Sequence, residues 1–311
     1  VKSSPIAMLG AWRVRLAEGW GKRSVIGVPY GFLILFFSLP FLVVLKISVS
    51  EVFGVHFGEL LTFADGVATL KVDLSNYLFL LTDSLYVQTY GSSIRFAFLN
   101  TVICLVLGYP FAYFMARSPA RYRPALLMLV SLPFWTSYLL RVYAWRGILE
   151  DHGVLNQFLL ALHLIDAPKH MMYTPFAMMV GMVYTYVPFM ILPLYATLVK
   201  MDLKLLEAAA DLGARPWQAF WLVTVPLSKA GIIAGSMLVF IPSIGEYVIP
   251  ELLGGPRTLM IGRVLWDEFF SNNDWAMASA VAVSMVVLIL IPLAVFNRYQ
   301  TESSSLRGTE S

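Results

Sequence analysis

Charge is scarce in this 311-residue chain. Asp, Glu, Lys and Arg together make up 13% of it, about half the share of a soluble domain. With 59% hydrophobic residues and a mean hydropathy of +0.73, a water-soluble fold could not cover its own core. The formal net charge of +3 is too small to argue for a nucleic-acid partner. Cysteine occurs once, at Cys104, so no intramolecular disulfide framework exists. Cys104 lies in an apolar run and reads as a small packing residue. The four histidines, His56, His152, His163 and His170, have no metal-ligand spacing. There is no Gly-x-x-x-x-Gly-Lys-Ser/Thr loop, so the chain does not hold ATP in the P-loop manner; the pair Gly21-Lys22 lacks the upstream glycine. Gly-x-Ser-x-Gly, His-Glu-x-x-His and Cys-x-x-Cys are missing too, and no catalytic cluster replaces them.

What the chain does have is long apolar runs, six of them, each near the roughly 20 residues that cross a bilayer core. They cover Val25–Val49, Ile94–Met115, Ala125–Trp145, Phe176–Val199, Ala230–Ile249 and Ala276–Phe296. Prolines fall inside them, at Pro29, Pro40, Pro110, Pro133, Pro188, Pro193, Pro242 and Pro292; membrane helices tolerate these when neighbours satisfy the freed carbonyls. The first run is longer than a signal-peptide core and is expected to stay as a span. The expected fold is therefore an all-α integral membrane protein with six transmembrane helices.

Six spans put both termini on one side. The N-terminal stretch carries Lys2, Arg13, Arg15, Lys22 and Arg23; the second connection Arg117, Arg121 and Arg123; the fourth Lys200, Lys204, Arg215 and Lys229; the end Arg298 and Arg307. Most acids lie in the other connections. By the positive-inside rule the basic side, with both termini, is expected to be cytoplasmic. Leu9, Trp12, Leu16 and Trp20 recur at helical spacing, as in an amphipathic helix on the inner leaflet. Leu155, Phe158, Leu159 and Leu162 suggest a second interfacial helix on the outer side. The first outer connection, Ser50–Ser93, is long enough for a small cap, and Arg257–Phe270 is a candidate docking segment. The chain divides into a cytoplasmic segment at 1–24, a six-span membrane domain at 25–297 and a cytoplasmic tail at 298–311.

The fourth connection, residues 202–226, is the informative one. It predicts a short helix started by Asp202 and ended by Gly213 in the left-handed conformation. A second short helix then starts at Pro216, with Trp217, Phe220 and Trp221 on one face. Two short helices with an apolar face outside the membrane make a docking surface.

The spacing within this loop is Glu207-Ala208-Ala209, three residues, Gly213, nine residues, then Val223-x-Val225-Pro226. It resembles the signature of permease subunits of bacterial ABC importers, with Val in place of Ile and of Leu. Further segments, including Leu132-Pro133-Phe134-Trp135-Thr136-Ser137, Gly245-Glu246-Tyr247-Val248-Ile249-Pro250 and Met260-Ile261-Gly262, look like the putrescine/spermidine permeases. The resemblance is closest to the first permease of putrescine systems and runs from Val25 to about Phe296. It leaves out Gly54–Thr69 and both tails.

The resemblance implies a type I ABC importer permease fold with cytoplasmic coupling helices, in the bacterial inner membrane. The residues at the ATPase-coupling surface would be Glu207, Ala208, Ala209, Gly213, Arg215 and Pro216. Its partners would be a second, non-identical permease subunit, an ATPase dimer that binds ATP and Mg, and a periplasmic polyamine-binding protein. This chain would be non-catalytic and hold no cofactor itself. Polyamines are polycations with apolar stretches, so a path for them needs acids and aromatic faces. Glu246, placed late in the fifth run, Tyr247, Trp135, Tyr138, Tyr184 and Tyr186 are the path candidates. Arg141 is a rival partner for Glu246, in a structural ion pair. Permeases for another small amine, a phosphonate or a metal complex remain alternatives within the family. An ion-coupled secondary carrier is the alternative outside it, but would need no such docking loop.

Overall fold

The computed structural model of the chain describes residues 25–50, 52–53, 56–57, 61–64 and 67–308. The amphipathic segment expected within residues 1–24 lies outside the described residues. Two compact units are present, residues 1–76 with 275–283, and residues 77–274 with 284–311.

In the first unit, α1 (Val25–Ser48) is long and apolar enough to cross a membrane. Pro40 cannot donate to the carbonyl four residues back, and the helix relaxes into a π turn over Ile34–Ser38. The all-α expectation is modified in the connection that follows. It holds two small antiparallel hairpins, β1 (Val52–Phe53) with β2 (His56–Phe57) and β3 (Leu61–Ala64) with β4 (Val67–Leu70). Leu61 pairs with Leu70, and Ala64 with Val67. The intervening Asp65-Gly66 is a strong two-residue hairpin signal that the hydropathy pattern hides. Asp73 then accepts the Ser75 backbone N–H at 2.8 Å, which holds its carboxyl below the usual carboxylate range and starts α2 (Ser75–Thr82).

The second unit is built on α3 (Ser84–Arg117), α7 (Pro175–Leu198) and α10 (Lys229–Ile244), which pack on one another. Asp83 caps α3 by accepting the Leu85 N–H at 2.7 Å. The helix therefore starts ten residues ahead of the apolar run, through the polar Gln88, Ser92 and Ser93. Met115, Met178, Met182, Met190 and Met260 fill the core with almost no exposure; their unbranched chains suit irregular gaps. In α10, Gly231 and Gly235 form a Gly-x-x-x-Gly stripe. A Cβ at Gly231 would stand 3.0 Å from the Pro193 carbonyl oxygen, and one at Gly235 3.1 Å from that of Met190. Small residues thus let α10 and α7 approach closely, as apolar helices do in lipid.

A buried polar seam joins α3 to residues 228–268. Tyr109 and Ser228 share a hydrogen bond of 2.8 Å, and Asn100 donates to Ser243 at 2.9 Å. The Ile261 N–H donates to Ser93 at 2.7 Å, and Tyr86 to Glu268 at 2.6 Å. Such bonds contribute about 0.6 kcal/mol each on average between membrane helices, so the seam specifies register more than stability.

Four described helices are long and apolar enough to cross a membrane: α1, α3, α7 and the start of α13 (Trp275–Gly308). The third and fifth runs are not straight spans. The third is α4 (Arg123–Ser131), continued by a 3-10 turn over Leu132–Trp135, then α5 (Tyr138–Leu149) and α6 (Val154–Ala161). Its two halves meet at 89°. Pro133 ends the first half, and Thr136 and Ser137 are extended. The fifth begins with α10, which α9 (Pro216–Leu227) precedes at 66°. Counting each bent pair as one span gives six. At 16 residues, α10 is only about 24 Å long.

Candidate functional site

Two places gather the residues singled out by the sequence. The first is the loop between α7 and α9. Here α8 (Lys204–Asp211) begins where Asp202 accepts the Lys204 N–H at 3.0 Å. Its end is a Schellman turn: Gly213 N–H donates to Ala210 O at 2.9 Å, Ala214 N–H to Ala209 O at 3.0 Å, and Gly213 has φ +83°. Pro216 takes the first position of α9, and the Arg215 N–H donates to Gln218 Oε1 at 2.8 Å. Glu207, Ala208, Gly213, Arg215 and Pro216 are exposed, and Ala209 is half-buried.

Pro226 has the same effect as Pro40. The carbonyl it leaves free is accommodated by a π turn over Phe220–Thr224. That turn drives Phe220 inward, where its ring meets Tyr109 edge-on at 5.5 Å and Tyr113 at 5.9 Å. Trp217 and Trp221 stay outside, 5.5 Å apart, and Trp217 is 69% exposed. One aromatic anchors the knob and two others remain on its surface.

The second place is the junction after α10. Glu246 lies late in the fifth run where the helix breaks, past the end of α10 and before α11 (Val248–Leu252). It is only 7% exposed. Its Oε1 accepts the Tyr138 hydroxyl at 2.6 Å and the Val248 N–H at 3.2 Å, and its Oε2 accepts the Tyr186 hydroxyl. One carboxylate therefore ties the break in the third run, the middle of α7 and the break in the fifth run. Charge-assisted bonds of this kind are the stronger ones.

The other path candidates do not converge on Glu246. Tyr247 stacks on Trp266 at 4.5 Å, Tyr184 meets Trp145 at 5.4 Å, and Trp135 is 86% exposed. The ion pair with Arg141 is not formed; among the described residues, the salt bridges within 4.0 Å involve other groups. Arg141 instead lies over the Tyr138 ring, 5.7 Å from its centre.

The junction is closed by a residue to which the sequence reasoning gave no site role. Gly262, in α12 (Ile261–Trp266), packs against the carbonyl oxygens of Gly245 and Glu246. A side chain there would collide with backbone, and no local signal in the sequence announces this. The Gly231-x-x-x-Gly235 stripe, by contrast, was readable. Near the junction's far side a cleft of about 660 Å³ is lined by residues including Arg146, Tyr173, Glu251, Gly255, Arg263 and Asp267. Arg263 lies 2.7 Å from Glu251 and 3.9 Å from Asp267, within the segment flagged for docking. Among the described residues no His, Cys, Asp and Glu group is arranged to hold a metal ion.

Comparison with known proteins places this architecture. Residues 108–301 match the family described as binding-protein-dependent transport system inner membrane component. The spermidine/putrescine transport system permease protein PotB of Escherichia coli (strain K12) is 40% identical over 269 residues, 86% of this chain and 94% of that protein. PotB of Haemophilus influenzae is 38% identical over 277 residues, 89% of this chain and 93% of that protein. In structure, a bacterial alginate ABC transporter crystallised with its alginate-bound periplasmic protein aligns with a TM-score of 0.67 at 15% identity, over 91% of this chain and 95% of the other. That likeness concerns the fold. The chain belongs to the binding-protein-dependent transport system inner membrane component family, as a multi-pass permease subunit that is not itself catalytic.

Proposed function

We propose that the chain is a permease subunit of an ATP-driven polyamine importer for putrescine and spermidine in a bacterial inner membrane, with both termini cytoplasmic. The observation that carries this reading is the likeness, over nearly the whole chain, to permeases named for spermidine and putrescine. The chemistry of the junction agrees with it. A carboxylate away from water, bounded by two tyrosine rings, suits an ammonium group with an apolar tail.

In this reading the chain forms half of a path whose other half is a second, non-identical permease. A periplasmic polyamine-binding protein delivers substrate, and a separate ATPase dimer binds ATP and Mg. The knob from Glu207 to Pro216, with Trp217 and Trp221, docks in that ATPase. ATP then biases an inward/outward equilibrium through rigid helices. Glu246, Tyr138 and Tyr186 are the path residues supported by geometry; Trp135, Tyr184 and Tyr247 are more distant walls.

The test is reconstitution of the chain with its permease partner, ATPase and binding protein in proteoliposomes. ATP-dependent uptake of labelled putrescine or spermidine is expected. Uptake of a different small amine, a phosphonate or a metal complex, with polyamines inert, would replace the substrate. Uptake without the ATPase, driven by an ion gradient, would replace the mechanism.

A further inference from the structure

Arg141 is held in an unusual way. Its Nε and Nη1 have almost no accessible surface and no hydrogen-bond partner. Another subunit cannot reach these two atoms, because the chain's own atoms enclose them. Enclosed N–H groups of a cation lose their hydration without a replacement, which makes the arrangement costly as a resting place. Tyr138 links this cation to an acid: Arg141 lies over the Tyr138 ring, 5.7 Å from its centre, and the Tyr138 hydroxyl donates to Glu246 at 2.6 Å. Tyr138 and Arg141 are three residues apart on α5, hence on nearly the same face and about 4.5 Å apart along the axis. The helix is interrupted at both ends of α5, by the extended Thr136 and Ser137 at the 89° bend and by the turn that the Gly153 N–H closes on the Glu150 carbonyl.

We infer that Glu246 exchanges partners during transport, from Tyr138 in the state seen here to Arg141 after α5 slides by about one helical turn. One-turn slides of a packed helix are an established kind of two-state element. In the tyrosine-bound state the carboxylate is held by two hydroxyl donors, and an ammonium group can take the place of one of them. In the arginine-bound state that charge is neutralised by a fixed cation, and a polycation is expelled. The release step rests on the polyamine reading above; the exchange itself does not.

The test uses the assembled transporter with spin labels at Leu140 on α5 and Leu238 on α10, both exposed, while Cys104 is fully buried and stays unlabelled. Inter-label distances are compared in the nucleotide-free complex and in one trapped with ATP and vanadate. Two components are expected, displaced by up to about 4.5 Å. Tyr138→Phe should enrich the arginine-paired component and Arg141→Gln the component seen here. Arg141→Lys, which keeps a cation, should retain both. In a Glu246→Gln background neither substitution should move the populations. A single component under both conditions overturns the exchange, as does movement of both variants in the same direction. Polyamine-stimulated ATP hydrolysis is measured on the unlabelled complex. Its loss in the unsubstituted protein would remove the substrate reading and leave the distances to decide the exchange.

Discussion

The knob at residues 202–228 and the junction at Glu246 are both polar interruptions of an apolar chain, built in opposite ways. The knob is local. Asp202, Gly213, Arg215 and Pro216 shape it through bonds that span at most five residues, and Phe220 and Ser228 tie it to α3. The junction is non-local. Tyr138, Tyr186 and Glu246 come from three segments up to 108 residues apart. A docking surface has to present the same shape whatever the membrane helices do, so local specification suits it. A carboxylate in a membrane has to be satisfied by whatever elements meet there, so it couples those elements to one another.

The largest effect is expected at the knob. Gly213→Pro replaces a residue at φ +83° with one fixed near −65°, and removes an N–H that closes the turn. A cost of about 3 kcal/mol corresponds to a loss on the order of a hundredfold in correctly docked loop. Polyamine uptake should fall accordingly, with the ATPase bound less or no longer stimulated by loaded binding protein. Glu207→Lys, which inverts an exposed charge, should act in the same direction with the membrane fold intact. Normal uptake by both variants, at normal expression, would remove the coupling role and with it one side of the comparison.

The junction should respond next. Glu246→Gln keeps the size of the side chain but removes the charge that Tyr138 and Tyr186 bond. Hydrogen bonds to charged groups contribute about 1.5–3 kcal/mol, so uptake per assembled complex should fall by about tenfold or more. Binding-protein docking should persist. Tyr186→Phe should give part of the same loss. If Glu246→Gln instead lowers assembly and leaves the uptake of surviving complexes unchanged, the junction is a structural tie and not part of the path.

The contrast also explains what could be read in advance. Six apolar runs, the Glu207–Pro226 spacing, the Asp202 start and the Gly213 stop are properties of short windows, and they reappear in α1, α3, α7 to α10 and α13. The break at Thr136–Ser137 was marked only by Pro133, which membrane helices often absorb, so the 89° bend was not legible. The hairpins were masked because hydropathy dominated the reading, although Asp65-Gly66 carried a local signal. At the junction the residue types were readable but not their partners. Tyr138 and Tyr186 are tyrosines like Tyr184 and Tyr247, and nothing along the chain says which of them will face Glu246.

Packing around the junction should show a smaller, purely structural effect. Gly262→Ala places a methyl 2.8 Å from the Glu246 carbonyl oxygen and closer still to that of Gly245. Backbone cannot yield as a flexible side chain does, so about 1–3 kcal/mol of destabilisation is expected. Gly147→Ala on α5 meets nothing within 4 Å and should be neutral or stabilising. Thermal unfolding of the purified complexes separates the two. Equal midpoints would mean that the junction is looser than the rest of the core.

The smallest effect should come from the cleft, whose acids are partly exposed to water. Arg263 lies 2.7 Å from Glu251, with side chains 29% and 40% exposed, and water screens such pairs. Glu251→Gln should therefore cost about 0.2–1 kcal/mol, far less than a change at Glu246, although both remove one carboxylate. Arg263 keeps Asp267 at 3.9 Å as a second partner, which limits the loss further. Rising salt should erase the difference between Glu251→Gln and the unsubstituted protein, while leaving that of Glu246→Gln in place. A salt-resistant loss at Glu251 as large as that at Glu246 would mean that the cleft closes against a partner in the working complex, and that its acids belong with the junction.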